Sequence, residues 1–317
     1  MANKEKNFIS AVIYVHNMGG GGEGKQIISF LSMVTEFFEA NFEHSEIICV
    51  NDASTDNSVA IIKEFSKSVK LSSITILNMS YFHGLEMAMN AGVDLAIGDF
   101  VFEFDTTLPD FNKDEIMRAY SRSLEGYDIV SVSPDKKEKT SSKLFYKTFN
   151  HFAKLNYQMK TESFRILSRR VINRIASMNK TIPYRKAIYA GCGLKTDNIK
   201  YHVNGMSGKH IDQKESGYRV RLAVDSMILF TEIGYRFSIM MTVLMMIISV
   251  LALLYSIVVY ITTSPVAGWT TTILFLSVAF FGLFGILTVI IKYLQLLIDL
   301  VFKRKHYNFE SIEKLTG

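Results

Sequence analysis

"GLEMAMNAGVDLAIGDFVFEFD" (residues 84–105) carries a helical pattern over 84–98 straight into an apolar strand, 99–105, that ends on Asp105. The same alternation is repeated upstream. "FISAVIYVHN" (8–17) is a β-rich run, and "QIISFLSMVTEFFEANF" (26–42) spaces its apolar residues by three and four, as a helix does. "SEIICVND" (45–52) reads as the next strand, and Ser54 or Thr55 is expected to cap the helix that follows it. "SSITILNMS" (72–80) reads as a third strand. Strands alternating with helices predict βαβ units and a mostly parallel sheet, whose sites gather at the carboxyl ends of strands. The polar groups at those ends are His16–Asn17, Asp52 with Asp56, and Asp105, along one edge.

The chain of 317 residues is 49% hydrophobic, and that character is concentrated late. Between residues 237 and 291 there is no Asp, Glu, Lys, Arg or His. A bilayer core takes a helix of roughly 20 apolar residues, so this stretch holds two spans. They are expected at 237–262 and 270–291, the second continuing amphipathically to 302, with "SPVAGW" (264–269) as the turn. The competing reading is a buried hairpin in a soluble core. Arg219, Arg221 and Arg236 precede the spans and Lys303, Arg304 and Lys305 follow them, which predicts both ends in the cytoplasm. The expected organisation is a cytoplasmic α/β domain at 1–230, including a juxtamembrane segment from about 205 to 235, a membrane hairpin at 237–302 and a tail at 303–317.

The basic start of the chain leads into a short Val/Ile-rich run and reads as a first strand rather than a signal peptide. Cys49 and Cys192 give neither a disulfide framework nor a zinc site. The net charge of +5 sits beside the spans, which suits an anionic leaflet and not nucleic acid. The glycine run 19–22 fits neither a Walker A pattern nor GxGxxG and reads as a flexible loop before a phosphate cradle.

Taken in order, these segments resemble family 2 glycosyltransferases. "ISAVIYVHN" is similar to their opening strand, "VNDASTDNS" (50–58) to "VDDGSTDGS", and "NAGVDLAIGDFVFEFDTT" (90–107) to their "NAG…A.GDyv..mDaD" segment. "SFRILSRRVI" (163–172) resembles the "FRLLSR" element of the polyprenyl-phosphate branch, which holds dolichol-phosphate mannose synthases and bactoprenol glucosyltransferases. "KYLQLLIDLVFKRKHY" (292–307) is similar to that branch's tail. The resemblance implies a GT-A domain followed by two C-terminal transmembrane helices in the inner membrane. It implies inverting transfer of a sugar from a nucleotide-sugar to a polyprenyl phosphate; tetramers occur in that branch, and whether this chain forms a homo-oligomer stays open. By position it assigns His16, Asn17, Asp52, Gly84, Asp105 and Thr107 to the donor, and Arg165 and Arg169 to the acceptor phosphate. Asp105 is expected to be catalytic, with Glu162 as a substitute base. A processive synthase is excluded, because neither further spans nor a QxxRW motif is present.

Three departures accompany the resemblance. Tyr14 replaces a Pro and Met18 a Glu in the first strand and its loop. In "SYFHGLEMA" (80–88) the usual Arg, Asn and Lys are Tyr81, Phe82 and Leu85. "DTTLP" (105–109) stands where relatives have "DADLQ", so two of three expected metal ligands are Thr107 and Pro109. Mg²⁺ or Mn²⁺ prefers several oxygen ligands, carboxylates above all, and Asp105 with a neutral hydroxyl would hold one weakly at best. The expectation leans to no metal, with Lys209, Lys214 and Arg219 neutralising the diphosphate instead. A glycan or lipid-linked saccharide acceptor, or a non-catalytic membrane partner, are the other readings.

Overall fold

The computed structural model describes residues 4–20, 23–107, 110–135, 140–152, 157, 159–177, 184–203, 233–263, 266, 268–301 and 307–315. The chain divides into two units, residues 1–224 with 304–317, and residues 225–303.

The first unit opens with strand β1 (Ile9–Val15), helix α1 (Glu23–Asn41), β2 (Ser45–Asn51), α2 (Ser58–Ser66), β3 (Ser73–Met79), α3 (Leu85–Leu95) and β4 (Phe100–Phe104). The boundaries follow the expected ones within a few residues. It continues with α4 (Asp114–Leu124), β5 (Ile129–Pro134), α5 (Thr140–Phe152), β6 (Phe164–Ser168), α6 (Arg169–Ser177), α7 (Arg185–Gly191) and β7 (Thr196–Tyr201). A last strand, β8 (Phe309–Lys314), comes after the apolar hairpin in the chain. The strands form one sheet in the order β7-β5-β6-β4-β1-β2-β3-β8, with β6 and β8 antiparallel to their neighbours. The tail expected at 303–317 therefore contains a sheet strand. Its Ser311 and Glu313 accept hydrogen bonds from Asn78 on β3 at 2.9 and 2.8 Å.

Side chains alternate across a strand, and helices cover both faces here, so the central strands read as unbroken apolar runs. All seven residues of β1 are buried. One face carries Ile9, Ala11, Ile13, Phe102 and Phe104 against Phe30 and Phe38 of α1 and Ile116 of α4. The other carries Val12, Val50, Val101 and Leu167 against Ala88 and Met89 of α3, Val171 of α6 and Tyr189 of α7. Each large side chain removed from water in this way contributes about 1.5–3 kcal/mol.

Helix α2 departs from its expected cap. It starts at Ser58 behind Asn57, which makes no side-chain capping bond. Ser54 and Thr55 bond Asn17 instead, so local capping gives way to a tertiary contact.

The second unit is a pair of helices, α8 (Ile233–Thr262) and α9 (Trp269–Val301), which pack on each other. They coincide with the expected spans. Their apolar windows, Arg236–Thr262 and Trp269–Leu294, are long and apolar enough to cross a membrane, and only 17% and 6% of them is buried. That exposure speaks against the reading of a soluble-core hairpin. The buried polar positions of α8 are Thr242, Ser249 and Ser256, spaced by seven, and Ser256 donates to the Thr270 carbonyl at 3.3 Å. Small hydroxylated residues let apolar helices approach where water drives nothing. The juxtamembrane residues Lys209, Lys214 and Arg219, and Lys303, Arg304 and Lys305, lie outside the described residues.

One contact sets how closely α3 lies on the sheet. A Cβ added at Gly92 would meet Val12 Cγ1 at 2.4 Å and Val50 Cγ2 at 2.6 Å. Gly92→Ala is expected to destabilise the domain by about 1–3 kcal/mol, through overpacking. Urea melts of the full chain in detergent check this, and an unchanged midpoint would show that α3 can shift freely.

Candidate active site

The strand order reverses between β1 and β4, and ligands of open α/β sheets bind in the crevice at such a point. Two clusters stand at the carboxyl ends around it.

The first is a clamp on the loop between β3 and α3. Asp52 is fully buried, and its Oδ1 accepts the His83 N–H at 2.7 Å. Its Oδ2 accepts the Gly84 N–H at 2.8 Å and the Tyr14 hydroxyl at 3.1 Å. Tyr14, a departure from the family pattern, is therefore a donor to this carboxylate. Gly84 has φ +82°, which a side chain would strain, and its position begins α3. Burial pushes the Asp52 carboxyl above its ordinary range, against the pull of these donors. His16 donates from Nδ1 to the Asp52 carbonyl at 2.6 Å and lies against the Phe82 ring, 4.6 Å between centroids. The exposed ring of Tyr81 stacks at 4.0 Å on the buried ring of His83. Asn17, at φ +48°, accepts the Thr55 N–H at 2.8 Å. Asp56 accepts the Gly19 N–H at 2.5 Å, so the described part of the glycine run turns an amide to protein rather than to open space.

The second cluster is ionic and buried. Glu103, fully buried on β4, accepts from Arg165 Nη1 of β6 at 2.9 Å, from Arg185 Nη1, and from the Tyr189 hydroxyl at 2.9 Å. Arg185 also donates through Nε to Glu86 at 3.1 Å and through Nη2 to Asp105 Oδ1 at 2.8 Å. Arg165 reaches Asp105 Oδ2 at 3.4 Å and Glu162 at 3.0 Å. Burial opposes the Asp105 charge, but Arg185, Arg165 and Lys186 hold its carboxyl well below the usual carboxylate range. Lys186 is partly buried beside Glu162 and Asp105, and among the described residues its ammonium makes no hydrogen bond or salt bridge.

The structure thus brings together Asp105, Glu162 and Arg165 in one cluster, and His16, Asn17, Asp52 and Gly84 in the other. Arg169 belongs to neither. It sits at the opposite end of β4, where its Nε donates to the Gly98 carbonyl at 2.9 Å. Arg165 is 1% exposed and saturated by carboxylates. The structure does not bring Arg165 and Arg169 together: Arg165 lies within β6, and Arg169 opens α6 beyond the far end of that strand. Arg170 grips Asp128 through two nitrogens. Glu103, Arg185, Lys186 and Tyr189 were not anticipated. The available signal was the lone acid inside "VFEF" (101–104), since a carboxylate within a buried strand demands a base.

The described residues around the expected metal position bond within the protein. Thr107 is 2% exposed and its hydroxyl donates to the Met18 sulfur at 3.1 Å. Asp110 accepts the Tyr201 hydroxyl at 2.5 Å, and Pro109 lies outside the described residues. Among the described residues no group of three His, Cys, Asp or Glu is arranged to hold a metal ion.

Removing Arg185 leaves Glu86, Glu103 and Asp105 short of a counter-charge. Arg185→Met is expected to cost about 3–5 kcal/mol in denaturant melts. The pH dependence has a definite sign. A carboxyl with a depressed folded pKa adds stability above its unfolded value, about 3.9, and loses it as pH falls below that. Asp105→Asn should therefore flatten the loss of stability between about pH 5 and pH 3 relative to the parent chain. Equal slopes would mean that Asp105 is not ionically held.

Residues 10–176 match the family model described as Glycosyl transferase family 2. A glycosyltransferase of Synechocystis sp. is 30% identical over 156 residues, 47% of this chain and 48% of that protein, so the match spans about half the relative's length. A protein of Escherichia coli (strain K12) named prophage bactoprenol glucosyl transferase homolog is 29% identical over 237 residues, 72% of this chain and 74% of that one. Among solved structures, mannosyl-3-phosphoglycerate synthase from Rubrobacter xylanophilus superposes with a TM-score of 0.50 at 14% identity, over 70% of this chain and 74% of that one. That likeness concerns the fold, and it agrees with the expected GT-A arrangement. The family model covers more than half of the chain, and the chain belongs to glycosyl transferase family 2.

Proposed function

We propose that this chain moves a sugar from a nucleoside diphosphate sugar to the phosphate of a membrane polyprenol, with its sheet domain on the cytoplasmic side of the inner membrane. The observation that carries the reading is the pairing of a strand-end cluster, Asp105–Arg165–Glu162, with two helices of membrane-crossing length in one chain. The name of the Escherichia coli relative, which specifies bactoprenol, supports the same acceptor class.

In such a reaction a phosphate oxygen of the acceptor attacks the anomeric carbon. The bond from that carbon to the diphosphate breaks, and the nucleoside diphosphate leaves with the electron pair. A phosphate monoester is already largely dianionic at neutral pH, so the acceptor needs little help from a base. What the protein must supply is position and fixed charge. Asp52 holds the loop 81–84 and, with His16 and the Phe82 ring, frames the donor side. Since both Asp52 oxygens face donors within the protein, its part is to shape the base pocket rather than to bind from open space. Arg165 holds Asp105 and Glu162 in one place. Lys186 is the cation of this cluster left to meet a phosphate, the task first read onto Arg165 and Arg169.

The test uses the full chain in detergent with undecaprenyl phosphate and a panel of radiolabelled UDP- and GDP-sugars. Label passing into the organic phase with at least one donor is expected. Lys186→Gln should raise KM for the lipid with a smaller change in kcat, and Asp105→Asn should lower kcat roughly 100-fold. If every donor fails while nucleoside diphosphate still binds, the transferase reading falls and a binding role replaces it.

A further inference from the structure

We infer that the end of β4 in this chain operates without a divalent cation, its carboxylate held by guanidinium groups instead. The inference deepens the transferase reading and rests on it for the presence of a diphosphate. Its physical basis is separate.

Both oxygens of Asp105 face cations of the protein, Arg185 Nη2 at 2.8 Å and Arg165 Nη2 at 3.4 Å. A divalent ion bound to either oxygen would stand beside two positive groups in a poorly solvated place, where like charges repel strongly. The second ligand position is closed as well. Thr107 is buried, and its hydroxyl is spent on the Met18 thioether at 3.1 Å. Sulfur of this kind suits soft ions and not Mg²⁺ or Mn²⁺. Met18 is itself fixed, its N–H donating to the Ser58 hydroxyl at 2.9 Å.

The two contacting residues are those at which the family resemblance expects acids, and they are replaced together by groups that satisfy each other. Among the described residues, the acids nearby are already engaged. Glu103 is shared by Arg165 and Arg185, Glu162 is bonded to Arg165, Glu86 to Arg185, and Asp110 to Tyr201. The residues at this strand end do not fit a hard dication. Asp105 is a positioning residue for Arg185 and Arg165 rather than a metal ligand.

The experiment titrates MnCl₂ into the full chain in detergent, alone and with UDP or GDP, and follows free Mn²⁺ by its electron paramagnetic resonance signal. Nucleotide binding is measured in parallel by equilibrium dialysis in EDTA and in Mn²⁺. The expected result is no Mn²⁺ uptake beyond that of nucleotide in protein-free samples, and nucleotide affinities within about two-fold with and without metal. Saturable Mn²⁺ uptake with nucleotide affinity raised about ten-fold or more, both lost in Asp105→Asn, would overturn the inference. Should that variant not fold, Met18→Lys, which sets a cation beside Thr107, takes its place with the same reading. Absence of nucleotide binding under every condition counts against the transferase reading alone, because Mn²⁺ uptake by the chain still decides this one.

Discussion

A carboxylate with no exposure to water, Glu103, sits in the middle of the sheet, and much of the site follows from that. Burying a charge is costly unless it is paired and hydrogen-bonded. Glu103 meets that demand with two guanidiniums and a tyrosine hydroxyl. One guanidinium comes from the adjacent antiparallel strand, since Glu103 and Arg165 are register partners. The other comes from α7, which must therefore lie over this end of the sheet. Arg185 then has donors to spare and draws in Glu86 from α3 and Asp105 from the strand end. The positions of α3, α7 and β6 relative to β4 are thus set by one electrostatic requirement as well as by packing.

The parts of this arrangement that the sequence shows are those with a local signature. β1 and β2 are apolar runs because both sheet faces are covered, and the helices between them show three- and four-residue spacing. The apolar hairpin is legible from charge alone. Arg185 is not, because "IPYRKAIY" (182–189) carries no sign of its partners, which lie 80 to 99 residues earlier. An ion pair across that distance leaves no pattern in either segment. Arg165 and Arg169 are paired through the resemblance, from their place in "FRILSR" (164–169), and not from any local geometry. They straddle a strand and a helix start, and the change of geometry separates them. Ser54 and Thr55 show the same competition, with the cap they could form displaced by bonds to Asn17. β8 is missed for a different reason: "FESIEK" is short and largely exposed, and its place depends on an edge of β3 left open by the rest of the fold.

The two clusters are not independent, because the loop 80–84 and the first turn of α3 belong to both. Asp52 fixes the backbone of His83 and Gly84, and two residues later Glu86 takes the Arg185 backbone N–H at 2.8 Å. The same loop is held from outside. His83 donates from Nδ1 to the Tyr81 carbonyl at 2.6 Å, which leaves Nε2 to accept the Asn308 N–H at 3.1 Å. The Tyr307 hydroxyl donates to Asp94 of α3 at 2.7 Å. The segment that follows the apolar hairpin in the chain therefore braces the loop that Asp52 clamps.

This bracing bears on why the loop tolerates its departures from the family pattern. The family pattern has Arg and Lys at the places of residues 81 and 85. Here those places are Tyr81 and Leu85, and order comes from within: a buried carboxylate on one side, a strand backbone on the other, and stacked rings between. The loss of two cations there is matched by the loss of two acids at positions 18 and 107, so the change is close to charge-neutral. Each lost pair is replaced by contacts that do not depend on an ion from solution. The geometry of such a loop is present before any ligand arrives.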